Sequence, residues 1–271
     1  MIDAAGGALI VALRFLALAA TTGTVGAWVF GRFVAARTTG AAAERHRHSL
    51  ESLSLRAAIW CTALLMLSAA PRLLPQAVAA AITGAALLFG RRRQAWPRLA
   101  TIGVALLVVI PAFLGHAGAA GEWRVLSVLV DVAHVAAAGG WVGALGILTI
   151  AALRARRETD GPVLSAALVV AFHPVAMIAA STVFLTGLLT AWLRMGVPAG
   201  IASSSYSGLF VAKLLLVGLT AAFGAGHSKQ ARRRVQSVDM QSIGRSLLAE
   251  CLLAVLVLVV TALLAGTDPI S

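Results

Sequence analysis

Charged residues and cysteines are both scarce in this chain. Only 12% of the 271 residues are charged, whereas 60% are hydrophobic and the mean hydropathy is +0.92. This composition lies outside the range of soluble globular domains. The two cysteines, Cys61 and Cys251, fall in separate apolar stretches. The sequence therefore argues against a small secreted fold held together by disulfides.

The sequence also lacks the motifs of soluble enzymes. It contains no phosphate-binding glycine loop, no nucleophile elbow, no Cys-x-x-Cys pair and no HExxH zinc motif. We therefore predict that the protein is not an enzyme.

Long apolar segments are abundant instead. A helix needs about 20 apolar residues to cross a bilayer, and we assign eight spans at about 8–30, 56–74, 75–90, 98–115, 124–152, 164–193, 208–228 and 246–266. These spans predict an all-α polytopic helix bundle in a lipid bilayer, forming one membrane domain. Within it we distinguish N-terminal helices over 1–98 from a helical core over 99–271. The stretch 38–54 is predicted to be a polar linker.

The formal net charge of +12 indicates membrane topology rather than a nucleic-acid partner. The basic residues are concentrated in the loops that follow odd-numbered spans, as at 91–93 and 232–234. Because basic loops stay in the cytoplasm, both termini are predicted to be periplasmic or extracellular.

An internal similarity relates the first and fifth spans. A shift of 117 residues aligns LALAATTGTVGAW with AHVAAAGGWVGAL, which matches Gly26 to Gly143 and Arg14 to Asp131. The pattern favours a parallel duplication of a four-helix unit. Chance similarity between two helices rich in alanine and glycine is the alternative interpretation.

Several ionisable residues lie inside the apolar spans. Insertion scales assign a cost of about 2.5 to 3.5 kcal/mol to such a residue at the bilayer centre, so these side chains should face the protein interior or a ligand. Their depth along the helices predicts an outer layer of Arg14, His116, Asp131, His134, Tyr206 and Lys213. An inner group comprises His173, Met177, His227, Glu250 and Cys251. A purely structural ion-pair network is the alternative for Arg14, Asp131 and Lys213.

Two helical spacings in these groups favour a metal. Asp131 lies three residues before His134 and can orient its ring, as an outer-shell carboxylate does for a metal ligand. His173 and Met177 stack an imidazole above a thioether, a combination that suits copper. We predict as metal ligands His116, Asp131, His134, His173, Met177 and His227, supported by a polar network of Arg14, Tyr206, Lys213, Glu250 and Cys251. Ligation of haem b by an outer and an inner histidine pair is the alternative.

Taken in order, several segments resemble the copper resistance protein D family of bacterial inner-membrane proteins. The resemblance covers about 99–269 and extends more weakly to ALRFLALA in the first span. The segments are LGHAGAA, DVAH running into GGWVGALGIL, FHPVAMIAASTVFLTGLLTAWLRMG, SSYSGLFVAKLLLVGLTAAFG and LLAECLLAVLVLVVTALL. The chain departs from the pattern of this family at His173 and at the pair Gly226 and His227. Each departure adds an imidazole to the inner group.

The resemblance implies copper transport across the bacterial inner membrane. It also implies a periplasmic copper-binding partner of the copper resistance protein C type. We expect copper to enter at His116, Asp131 and His134 and to pass inward by Met177 and His173, with Cys251 and His227 as further candidates. A haem protein that carries electrons, and an assembly partner whose polar residues are structural, are the competing hypotheses.

Overall fold

The computed structural model describes residues 4–68, 78–84, 96–114, 121–195, 205–233 and 240–265. Within this part of the chain every regular element is a helix, which confirms the predicted all-α class. The helices are α1 (Ala4–Val29), α2 (Ala41–Ser68), α3 (78–84), α4 (Trp96–Leu114), α5 (Arg124–Ala138), α6 (Ala144–Ala155), α7 (Gly161–Met195), α8 (Ser205–Arg233) and α9 (Met240–Leu264).

Several of these helices are long and apolar enough to cross a bilayer. In the described residues five segments meet both criteria: Gly7–Arg37, Ala41–Ser68, Arg124–Ala155, Gly161–Leu193 and Ser246–Leu264. The shorter apolar helices Ala100–Phe113 and Gly208–Gly224 fall at the predicted fourth and seventh spans, and α3 falls within the predicted third. The boundary predicted between the second and third spans lies outside the described residues. The chain is a multi-pass membrane protein.

The prediction of a polar linker over 38–54 is wrong. The chain turns at Gly40, whose φ of 105° favours glycine, and α2 begins at the next residue. Glu44 and Arg47 form an ion pair one turn apart on this segment. Leu50 and Leu53 are buried in the main core. The segment therefore continues the membrane helix because its apolar residues pack inward while its charged residues face outward.

Two glycines allow the backbone of α1 to touch the backbone of the fifth span where the two helices cross. A π-helical turn, Gly139–Gly143, joins α5 to α6 in this span. A β-carbon on Gly26 would overlap the backbone of Gly143, and one on Gly143 would overlap the carbonyl of Thr22. Small residues permit such close approach in membranes. The aligned glycines of the predicted repeat are therefore in direct contact with each other.

Helix packing follows the same repeat. In a four-plus-four arrangement α1 and α5–α6 are equivalent first helices, and α4 and α9 are equivalent fourth helices. The structure packs α4 against both α1 and α5, and it packs α9 against both α1 and α6. Each fourth helix therefore contacts the first helices of both halves. This arrangement fits the predicted duplication, which stays a prediction.

A polar cluster ties the start of α2 to the start of α7. We call it the Asp160 clasp, comprising Arg45, His46 and Asp160. The Arg45 guanidinium donates to Oδ2 of Asp160 from Nη2 at 2.7 Å and from Nε at 3.1 Å. Nε2 of His46 donates to Oδ1 at 3.0 Å. Asp160 also begins α7, because its carbonyl accepts the amide of Leu164.

Gly143→Ala should destabilise the protein. The added methyl group would overlap the Thr22 carbonyl, and overpacking of this kind costs about 1 to 3 kcal/mol. Gly146→Ala is the matched control, because nothing lies within 4 Å of its β-carbon position. Unfolding of both variants in detergent measures the difference. Equal stability of the two variants would contradict the backbone contact.

Asp160→Asn should weaken the acid dependence of stability. The hydrogen bonds from Arg45 and then His46 lower the pKa of the Asp160 carboxyl. The resulting stabilisation is fully present above the usual aspartate pKa and is lost as the pH falls through the lowered value. Melting temperatures between about pH 7 and pH 3 should therefore fall less steeply in Asp160→Asn than in the unmodified protein. Glu158→Gln, two residues away on the exposed turn, should not show this change.

Candidate intramembrane polar site

The main candidate site is a cavity of about 280 Å³ inside the bundle, which we call the central cavity. Residues of α1, α4, α5, α7, α8 and α9 line it. Its wall is mostly apolar, and its polar side chains are Thr21, Thr22, Asp131, His134, Lys213, Thr220 and Thr261. The structure thus brings together three ionisable residues that were predicted to share the outer layer.

Positions related by the shift of 117 residues line the central cavity together. Leu18 and Val135 both line it, as do Thr21 and Ala138, and each pair is related by the shift of 117 residues. The described ionisable side chains, in contrast, all come from the second half, on α5 and α8. Aligned positions of both segments therefore line the cavity, whereas its described ionisable groups come from the second half alone.

The hydrogen bond of His134 selects its tautomer. Nδ1 of His134 lies 2.9 Å from Oγ1 of Thr186 on α7. The single hydroxyl proton of Thr186 is donated to the helix carbonyl of Thr182. Oγ1 must then accept from the ring, so Nδ1 carries the proton. In the neutral imidazole the lone pair is on Nε2, which is the form that binds a metal.

A second, smaller cavity of about 50 Å³ contains part of the predicted inner group. We call it the His173 cavity. His173, Met177 and Glu250 line it, together with Trp141 of the π-helical turn. It lies nearer than the central cavity to the Asp160 clasp, since its residues come early in α7 and α9. An imidazole, a thioether and a carboxylate therefore surround one small space.

Glu250 is buried deeply for a carboxylate, with 4% of its surface exposed. Its Oε1 lies only 2.8 Å from the position that a β-carbon on Gly224 would occupy. Gly224 therefore gives the carboxylate room between α8 and α9. A buried charge is tolerated only with compensating partners. Glu250 accordingly belongs among the candidate functional groups of the His173 cavity.

Other predicted site residues lie elsewhere or outside the described part. Arg14 is half-buried on α1 and does not line the central cavity, and Cys251 lies beside Thr149 rather than in the His173 cavity. Met177 is at the rim, with 50% of its surface exposed. His116 is outside the described residues, and the side chains of Tyr206 and His227 are outside them too.

The described side chains do not form a complete metal site. Among them no group of three histidine, cysteine or carboxylate residues is placed to hold an ion. His134 and His173 line different cavities, and each histidine pair predicted for haem also contains His116 or His227. Nothing in the described part of the chain supports haem, and that alternative stays a prediction.

Sequence reasoning missed two residues of this region. Thr186 is 52 residues from His134 in the chain, and no local pattern links them. Trp141 lies between glycines in the segment GGWVGALGIL, and a large aromatic residue among glycines inside a membrane span is a usable signal. It is the single residue common to the described linings of both cavities.

The fold and the cavities define a helical membrane protein that encloses ionisable side chains within its bundle. Residues 166–264 match the family described as copper resistance protein D. The match covers less than half of the chain and confirms the resemblance over α7, α8 and α9. The description of the family connects this part of the chain with copper resistance. Comparison with curated proteins and with solved structures gave no match.

Thr186→Val should weaken the preference of His134 for the tautomer that is protonated at Nδ1. The variant keeps the side-chain shape but removes the acceptor, and a neutral hydrogen bond contributes about 0.5 to 1.5 kcal/mol. The ratio of the ring tautomers should therefore shift roughly twofold to tenfold toward the form protonated at Nε2. Nitrogen NMR of histidine-labelled protein measures the ratio, with His134→Gln to assign the signal. Thr182→Val, one turn away, should leave the spectrum unchanged.

Proposed function

We propose that the protein carries copper across the bacterial inner membrane, from a periplasmic donor toward the cytoplasm. One observation carries the proposal: two cavities with copper-compatible side chains lie in succession along the bundle and share Trp141 in their walls. The family match over residues 166–264 supports copper as the cargo. A periplasmic protein of the copper resistance protein C type is the proposed donor.

The side chains of the two cavities suit successive steps of such a route. The central cavity offers the imidazole of His134 and the carboxylate of Asp131. The His173 cavity offers an imidazole beside the thioether of Met177, a softer pair that favours the cuprous ion. Each described set is too small to close a coordination shell. A transport site must release an ion as readily as it binds one, so the proposal requires weak binding in each cavity.

Charge in the central cavity also fits a passing cation. Asp131 and Lys213 line the same space, so their opposite charges offset each other before cargo arrives. A copper ion entering beside Asp131 experiences the attraction of the carboxylate and the repulsion of the ammonium group. That balance would limit how tightly the ion is held.

The direction of the route rests on the distribution of basic residues. The positive-inside rule assigns the end of the bundle with the Asp160 clasp to the cytoplasm, since Arg154, Arg156 and Arg157 precede the clasp. The central cavity then lies nearer the periplasm, and both termini are on that side. Copper would reach His134 first and His173 second.

The double variant His134→Ala, His173→Ala should abolish transport by this protein. Loss of an outer-shell partner alone typically reduces metal affinity or activity about 10- to 100-fold, so removing one ligand from each cavity should reduce copper accumulation at least as much. Cells that lack the protein are complemented with each variant, and cell copper is measured by mass spectrometry at equal protein amounts.

His48→Ala is the matched control, because His48 is exposed near the start of α2. It should restore copper accumulation to the level of the unmodified protein. Full restoration by the double variant would contradict the proposed route. It would instead favour an assembly role in which the intramembrane polar residues are structural.

A further inference from the structure

Trp141 occupies the boundary between the central cavity and the His173 cavity. Its surface is only 3% exposed, and it is the single residue shared by the two described linings. Trp141 therefore lies where the central cavity, which His134 lines, meets the cavity that His173 lines. An ion that moves directly between these two cavities would meet Trp141.

The backbone that carries Trp141 is irregular but firmly held. Trp141 is the central residue of the π-helical turn Gly139–Gly143, and π-helical turns are rare and frequent at functional sites. Gly139 packs tightly against Val25, and Gly143 packs against the backbone of α1. Both ends of the turn are thus anchored on α1, so rotation of the side chain is the available movement.

The two cavities differ in the space they offer to a rotating ring. The His173 cavity, at about 50 Å³, has less than a fifth of the volume of the central cavity. The central cavity, at about 280 Å³, has room for an indole that turns into it. Rotation toward the central cavity would open the boundary, and return of the ring would close it.

We infer that Trp141 is a gate between the two cavities. Its indole closes the route in the resting protein and rotates into the central cavity when an ion passes. The inference rests on the proposed copper route and adds its controlling step. A tryptophan face attracts cations more strongly than other aromatic rings do. The gate would therefore favour a positively charged cargo. The closed ring would also prevent a continuous path of water between the two cavities.

Reporter cysteines test the gate without measuring copper transport. Cys61 and Cys251 are first replaced by serine. Ala176→Cys then places a thiol in the lining of the His173 cavity, and Ala254→Cys places one in the lining of the central cavity. Right-side-out vesicles are exposed to Ag⁺ for increasing times. The thiols that have not reacted are labelled with a fluorescent maleimide after denaturation.

Trp141→Ala should make the Ala176→Cys reporter react with Ag⁺ about tenfold faster or more. A minor open state is typically populated at about 0.1 to 10%, and the variant would make the open state the only one because it lacks the ring that closes the boundary. The Ala254→Cys reporter should react at the same rate with or without Trp141, which also shows that the variant is folded. Trp141→Phe keeps a ring at the boundary and should leave the Ala176→Cys rate close to that with Trp141.

An unchanged Ala176→Cys rate in Trp141→Ala would overturn the gate. So would a rate in Trp141→Phe equal to that in Trp141→Ala, or an Ala254→Cys reporter that Ag⁺ does not reach from outside. The copper proposal fails separately. If the accessibility changes occur as expected but the protein confers no copper accumulation, the gate stands and the assigned cargo is wrong.

Discussion

The backbone contact between α1 and the fifth span determines how polar side chains are held inside this bundle. Hydrocarbon provides no hydrophobic drive that would press helices together, so close packing must come from small residues. Gly26 and Gly143 let the equivalent helices of the two halves touch. The surrounding helices form the central cavity, which Asp131, His134 and Lys213 line. Facing a cavity within the bundle reduces the cost of placing ionisable residues in the membrane.

The two halves contribute differently to the proposed activity. Equivalent positions such as Leu18 and Val135 give both halves a share of the cavity wall. The ionisable groups of the described lining come from the second half, and the family match falls there as well. The first half supplies packing surface and the Arg45 and His46 side of the Asp160 clasp.

Sequence reasoning predicted the fold class well because the length of an apolar segment is a local property. It also assigned Asp131, His134 and Lys213 to one depth, since depth along a helix follows from residue number, and the three residues line one cavity. It failed over 38–54, where charged residues disguised a helix whose Leu50 and Leu53 face the core. The bond between His134 and Thr186 was out of reach, because rotation of one helix against another depends on tertiary packing. Helix rotation also explains the result for Arg14. Its depth matches that of Asp131 and His134, but Arg14 does not line the central cavity.

The contact of Gly26 with Gly143 also restricts how the molecule can move. Transporters built from repeats often work by rocking one repeat against the other around a central site. Here two backbones meet with no side chain between them, so sliding in either direction would drive a neighbouring residue into the opposite helix. The crossing can serve as a pivot but not as a sliding surface. Any movement of one half against the other would then be a rotation about this point, and the helix segments farthest from the crossing would move most.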